Sequence, residues 1–190
     1  MSVNEQNFIS ELTTVFKKNG LGSLINMERG EKFLALTKFM LEENEKFNLT
    51  AITDYEKIIL NHYADCATLA KRLPKGASVC DVGCGAGFPT LPLAILRDDL
   101  KITAIDSTAK RVDYVNRAAA LLGLTNVKAV AMRAEEGGIN PAYRERFDVA
   151  TARAVAEMRI LAELCLPYVK VGGCFIAMKG KNAEIGRAHV

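Results

Sequence analysis

The chain has 190 residues, of which 49% are hydrophobic and 25% charged, and a net charge of +3. Such a composition fits one globular domain with a sizeable core, and the charge is too mild to argue for or against a nucleic-acid partner. No apolar run reaches the ~20 residues needed to span a bilayer, and Met1-Ser2-Val3-Asn4-Glu5 lacks the pattern of a secretory leader, so no membrane partner and a cytoplasmic location are expected.

The first third reads as helices. Phe8, Ile9, Leu12, Val15 and Phe16 recur at three- and four-residue spacing, with Gly20 as a stop. A second stripe runs through Phe33, Leu34, Leu36, Phe39, Met40 and Leu41. A third helix is predicted over Tyr55–Leu73, with Asp54 as its N-cap and Pro74-Lys75-Gly76 closing it. Residues 1–73 are therefore expected to form an N-terminal helical subdomain.

Beyond that turn the period changes. Ala77–Val82, Lys101–Asp106, Val127–Met132, Phe147–Arg153 and Cys174–Lys179 are short apolar runs that read as strands. Thr90–Arg97, Thr108–Leu122 and Val155–Val169 read as helices between them. Alternating strands and helices predict an α/β fold with a mainly parallel, Rossmann-like sheet over residues 74–184. The cysteines are Cys66, Cys80, Cys84, Cys165 and Cys174; an odd count without metal-ligand spacing argues for buried thiols, with neither a disulfide framework nor a metal site.

The first strand runs into Gly83-Cys84-Gly85-Ala86-Gly87-Phe88, and a helix with Pro89 or Pro92 near its first turn follows. Glycines there let the backbone turn tightly and approach a ligand. A dinucleotide oxidoreductase, the NAD(P)-type alternative, needs glycine at the sixth position of this loop, where Phe88 stands. Asp106 ends the next strand, 19 residues beyond Gly87. Its carboxylate suits a ribose diol, or alternatively caps the helix from Thr108.

Asp81 with Gly83-x-Gly85-x-Gly87 resembles the first motif of class I methyltransferases. In that family the acid orients the amino-acid end of S-adenosylmethionine. Further segments match in order: Asn48-Leu49-Thr50, His62-Tyr63-Ala64-Asp65, Asp81–Pro89, Asp106-Ser107, Lys110-Arg111-Val112, Glu135-Glu136, Ala152-Arg153-Ala154 and Met178-Lys179-Gly180. Together, over roughly residues 42–181, they resemble the bacterial 16S rRNA guanine-N7 methyltransferases. The resemblance implies S-adenosylmethionine as cofactor and 16S rRNA or the small ribosomal subunit as partner. A methyltransferase acting on another acceptor is the alternative. The resemblance further implies that Gly83, Phe88, Ala134, Glu135 and Arg153 contact the cofactor, beside Asp81, Gly85, Gly87 and Asp106 from the motif. Glu135 could instead be a solvated loop acid, and Arg153 could grip either the cofactor carboxylate or an RNA phosphate. Asn48, His62, Lys110, Arg111, Lys179 and Lys181 are the candidates for RNA contact.

Guanine N7 carries a lone pair and no hydrogen, so no general base is expected among the residues. Asn140-Pro141-Ala142-Tyr143 faintly resembles a motif of exocyclic-amine methyltransferases but precedes the fourth strand instead of following it, and reads as a turn. Ile185-Gly186-Arg187-Ala188-His189-Val190 is one reading frame of a common DNA-sequencing adapter, so residues 185–190 are expected to be a non-native tail. With the family's final strands missing, the fifth strand is expected to be an open, association-prone edge.

Overall fold

The computed structural model describes residues 3–153, 157–178 and 186–189. Three helical segments precede the sheet. In α1 (Val3–Lys18) the expected stripe buries Phe8, Ile9, Leu12 and Phe16, and Gly20 follows with φ +69°. The second helix, α2 (Met27–Asn44), starts at Asn26, whose side chain accepts from the Arg29 amide. Gly30 lets the two helices approach: a Cβ there would stand 3.0 Å from Ile9 Cγ2.

The third helix begins as expected, with Asp54 accepting from the Lys57 amide. It runs as α3 (Tyr55–Ile58), a π-helical stretch (Ile59–Ala64) and α4 (Asp65–Ala70). The wider turn is the unforeseen feature; such segments occur often at functional sites, and this one carries His62.

Five parallel strands follow: β1 (Ser78–Val82), β2 (Lys101–Asp106), β3 (Val127–Ala131), β4 (Phe147–Arg153) and β5 (Val169–Met178). With a last strand β6 (Gly186–His189), the sheet order is β3-β2-β1-β4-β5-β6, so the winding reverses between β1 and β4. Alternate residues face opposite sides. Val79, Ile102, Ala104, Val149 and Ile176 join the core beneath the N-terminal helices, α5 (Thr90–Leu96) and α6 (Ala109–Leu121). Cys80, Val82, Ile105, Phe175 and Ala177 join the core of the other face, with Leu161 and Cys165 of α8 (Met158–Cys165). The N-terminal helices thus form a layer that shares its core with the sheet. Phe39 stacks on Tyr114 with ring centroids 5.5 Å apart, and Glu43 of α2 pairs with Arg117 of α6.

Three expectations need correction. Ala134–Ile139 is a helix, α7, that sequence patterning did not indicate. Strand β5 begins at Val169 instead of Cys174. Its outer edge is not open: β6 (Gly186–His189) pairs antiparallel with Cys174–Ala177, satisfying backbone groups that would otherwise invite association. Ile185 and Val190 of the expected tail lie outside the described residues, as does Val155, the expected start of α8. Among the described residues no helix is long and apolar enough to cross a membrane.

Candidate active site

The glycine loop is pinned to the end of β2. The amides of Gly83 and Cys84 both donate to the Ile105 carbonyl, at 2.7 and 3.0 Å. The Gly85 amide donates to Asp106 Oδ2 at 2.9 Å, and Asp106 Oδ1 accepts from the Thr108 amide at 2.8 Å. The Asp106 carbonyl accepts from the Met132 amide at 3.0 Å, tying in the end of β3. Asp106 is thus a turn-former at the strand ends, and each carboxylate oxygen keeps a lone pair for a ligand hydroxyl.

Gly83, Gly85 and Gly87 all have positive φ, of +77°, +52° and +79°. Their surroundings differ. A Cβ on Gly85 would meet nothing closer than the Gly83 carbonyl at 3.9 Å, whereas one on Gly87 would lie 2.6 Å from Leu91 Cδ1. Gly85 keeps a ligand-facing surface bare, while Gly87 lets the loop pack onto α5.

Where the sheet reverses direction, beyond the carboxyl ends of its strands, lies a cleft of about 440 Å³. That is the expected ligand position in an open parallel sheet and a size suited to a nucleoside-like molecule. Gly83, Gly85, Asp106, Ala134, Glu135 and Arg153, all candidates for cofactor contact, line it. So do Arg111 and Leu49, the latter from the N-terminal layer. Val82, Ile105, Met132 and Leu164 add apolar surface, and Ser107 and Arg133 complete the rim. Bare glycine backbone, apolar walls, carboxylates and a guanidinium in one cleft fit S-adenosylmethionine, which presents an adenine, a ribose diol and a charged amino-acid end.

The remaining expected residues stand elsewhere. Asp81 is only 1% exposed and does not line the cleft. It accepts from Thr90 Oγ1 at 2.6 Å and Thr151 Oγ1 at 3.1 Å, Thr151 being its register partner on β4. Burial raises its pKa to about 6, against the lowering by those hydroxyls and by Arg153. Asp81 ties the start of α5 to β4 behind the cleft. Phe88 is buried, with the Arg153 guanidinium carbon 4.9 Å from its ring centroid and the His62 ring stacked at 4.3 Å.

His62, expected to contact RNA, is only 5% exposed. Its Nδ1 lies 3.0 Å from Arg153 Nη1 and its Nε2 3.4 Å from Thr50 Oγ1, so it faces inward. Asn48 and Lys110 are exposed; Lys179 and Lys181 lie outside the described residues. Burial pushes the thiols of Cys66, Cys80, Cys84 and Cys165 up, which suits packing rather than nucleophilic chemistry.

Two supporting residues went unforeseen. Asn44, the last residue of α2, accepts from the amides of Leu49 and Thr50 at 2.7 and 2.9 Å, which holds Leu49 at the cleft. An Asn ending an apolar stripe is a detectable signal for such a cap. Tyr168 donates to the Ala134 carbonyl at 2.7 Å, a long-range contact with no local signature. Asn140-Pro141-Ala142-Tyr143 is a turn as expected: Asn140 Oδ1 accepts from the Ala142 amide at 2.9 Å.

Comparison with known proteins bears on this cleft. The model of the family described as rRNA small subunit methyltransferase G (GidB) matches residues 29–188. A ribosomal RNA small subunit methyltransferase G of Clostridium beijerinckii is 49% identical over 166 residues, 86% of this chain and 70% of the relative. The protein of that name from Lactobacillus helveticus is 45% identical over 186 residues, covering 96% and 75%. A solved SAM dependent methyltransferase from Aquifex aeolicus shares the fold with a TM-score of 0.54 at 22% identity, over 76% of this chain and 74% of that one. The glycine loop, the reversal-point cleft and a match over most of the sequence converge: this chain belongs to the rRNA small subunit methyltransferase G family.

Proposed function

We propose that the chain transfers a methyl group from S-adenosylmethionine to N7 of a guanine in 16S rRNA, on the small ribosomal subunit, and so acts in the cytoplasm. The observation that carries this reading is the cleft at the reversal of the sheet, which gathers Gly83, Gly85, Asp106, Glu135 and Arg153 in a member of this family. Asp106 and Glu135 would hold the ribose and adenine side of the cofactor, and Arg153 its carboxylate. Arg111, Lys110 and Asn48 on the surrounding surface would meet the RNA.

When bound, the cofactor supplies an electrophilic methyl group on a sulfonium. The chain's own task is positioning and exclusion of water. Guanine N7 bears a free lone pair, so no proton has to leave for it to bond to the methyl carbon, and no side chain need act as a base. Apolar Leu49, Met132 and Leu164 wall the cleft, where fixed charges act more strongly than in bulk water.

The test is transfer of labelled methyl from S-adenosylmethionine to small subunits lacking N7-methylguanosine. Label at one guanine, with strand cleavage diagnostic of N7 methylation, is expected. Label on protein or on an exocyclic amine would refute the acceptor.

A further inference from the structure

We propose that His62 is the positioning residue for Arg153, setting the guanidinium in the cleft with a neutral acceptor from the N-terminal helical layer. This rests on the reading of Arg153 as the group that holds the cofactor carboxylate.

Arg153 ends β4 and reaches the cleft past three contacts. Nη1 lies 3.0 Å from His62 Nδ1 and 3.4 Å from the Asn61 carbonyl, and the guanidinium carbon sits 4.9 Å from the Phe88 centroid. His62 in turn stacks on Phe88 with ring planes 22° apart. One aromatic ring therefore braces both partners of the hydrogen bond.

A guanidinium can only donate, so His62 Nδ1 must accept, and its ring proton sits on Nε2, facing Thr50 Oγ1 at 3.4 Å. The imidazole is consequently uncharged. Burial, and then the charge of Arg153, lower its pKa to about 4, in keeping with that assignment.

Neutrality has a functional consequence. A carboxylate in the place of His62 would also orient Arg153, but it would neutralise the cation and compete with an anionic ligand. Among the described residues Arg153 forms no salt bridge. Asp65 and Asp81 feel its charge without a salt bridge to it, so its orientation is set in advance while its donors are not taken up by a carboxylate, which removes an ordering cost from ligand binding. The arrangement also links the N-terminal layer to cofactor affinity, since Asn61, His62 and Thr50 all precede the sheet.

The experiment is calorimetric titration of the full chain with S-adenosylmethionine and with 5′-methylthioadenosine, which lacks the amino-acid end. His62→Phe keeps a ring against Phe88 but deletes the acceptor; His62→Asn returns an amide oxygen near the Nδ1 position. Losing a charge-assisted hydrogen bond predicts roughly 10- to 100-fold weaker S-adenosylmethionine binding for His62→Phe. Unchanged 5′-methylthioadenosine binding and partial recovery in His62→Asn are expected alongside. Added to Arg153→Met, His62→Phe should cost nothing more.

Equal weakening of both ligands would make His62 merely structural and overturn the proposal. So would wild-type S-adenosylmethionine affinity in His62→Phe alongside its loss in Arg153→Met. Wild-type affinity in Arg153→Met would instead remove the carboxylate reading of Arg153, and the proposal with it.

Discussion

Two glycines of one loop should fail in opposite ways. Gly85 and Gly87 both have positive φ, so alanine at either carries a left-handed backbone cost of about 1–2 kcal/mol. The remainder of each effect depends on what the new methyl meets. At Gly87 it would lie 2.6 Å from Leu91 Cδ1, 2.9 Å from Leu91 Cγ and 3.4 Å from Val115 Cγ2. Leu91 is fully buried, so it can make room only at the expense of its neighbours, and overpacking adds about 1–3 kcal/mol. At Gly85 the nearest atom is 3.9 Å away, and the methyl would stand on the cleft wall. Gly87→Ala should therefore melt roughly 2–12 °C below Gly85→Ala, from about 2–4 °C per kcal/mol in a chain of this size. Gly85→Ala should stay folded but bind S-adenosylmethionine at least about tenfold more weakly, equivalent to about 1.4 kcal/mol. Thermal melts and calorimetric titration read the two effects separately. Matching melting temperatures would refute the assignment of Gly87 to packing, and wild-type affinity in Gly85→Ala would refute the assignment of Gly85 to the cofactor surface.

Arg153→Ala should lower methyl transfer by about a hundredfold or more through lost cofactor affinity; equal transfer rates for variant and wild type would sink this role. Arg111→Ala should weaken RNA binding and reduce the slope of log affinity against log salt by about one, and an unchanged slope would place the RNA elsewhere. Tyr168→Phe leaves the Ala134 carbonyl without its 2.7 Å donor, so stability should fall by about 1 kcal/mol in urea unfolding, with weaker 5′-methylthioadenosine binding because Ala134 lines the cleft. Two buried groups set opposing pH dependences. His62 titrates at about 4 when folded against 6.5 ordinarily, so its contribution is present in full above about pH 6.5 and is lost as pH falls towards 4. Asp81 is raised from 3.8 to about 6, so it favours folding below its ordinary value and loses that advantage as pH rises through 6. The two offset each other, and Asp81→Asn should lose on the order of 2 kcal/mol more stability than wild type between pH 7 and pH 4; parallel pH profiles would contradict the burial argument.

Much of the fold was legible because it rests on local physics. The five parallel strands appear where apolar runs alternate with helical stripes, β2 and β4 with the bounds expected. Asp54 caps its helix because a short carboxylate reaches the third amide. Helix α7 escaped detection for a physical reason: Gly137 and Gly138 are poor helix formers, kept there because a Cβ on Gly137 would lie 2.2 Å from Tyr168 Oη. The early start of β5 is hidden by Gly172-Gly173, Gly172 having φ +82°.

The site divides the same way. A loop of positive φ demands glycine, and a strand end beside such a loop places Asp106 and Arg153 at the cleft, so these residues could be read from order along the chain. Burial could not. Asp81 was expected at the cofactor and His62 at the RNA, yet both are enclosed, because Thr151 lies 70 residues and Arg153 91 residues away in sequence and no local pattern encodes their approach. The chain's periodicity and glycine spacing dictated which elements form and where the cleft opens; only tertiary packing, of Thr90 and Thr151 around Asp81 and of the N-terminal helices around Arg153, decided which side chains line that cleft and which hold the others in place.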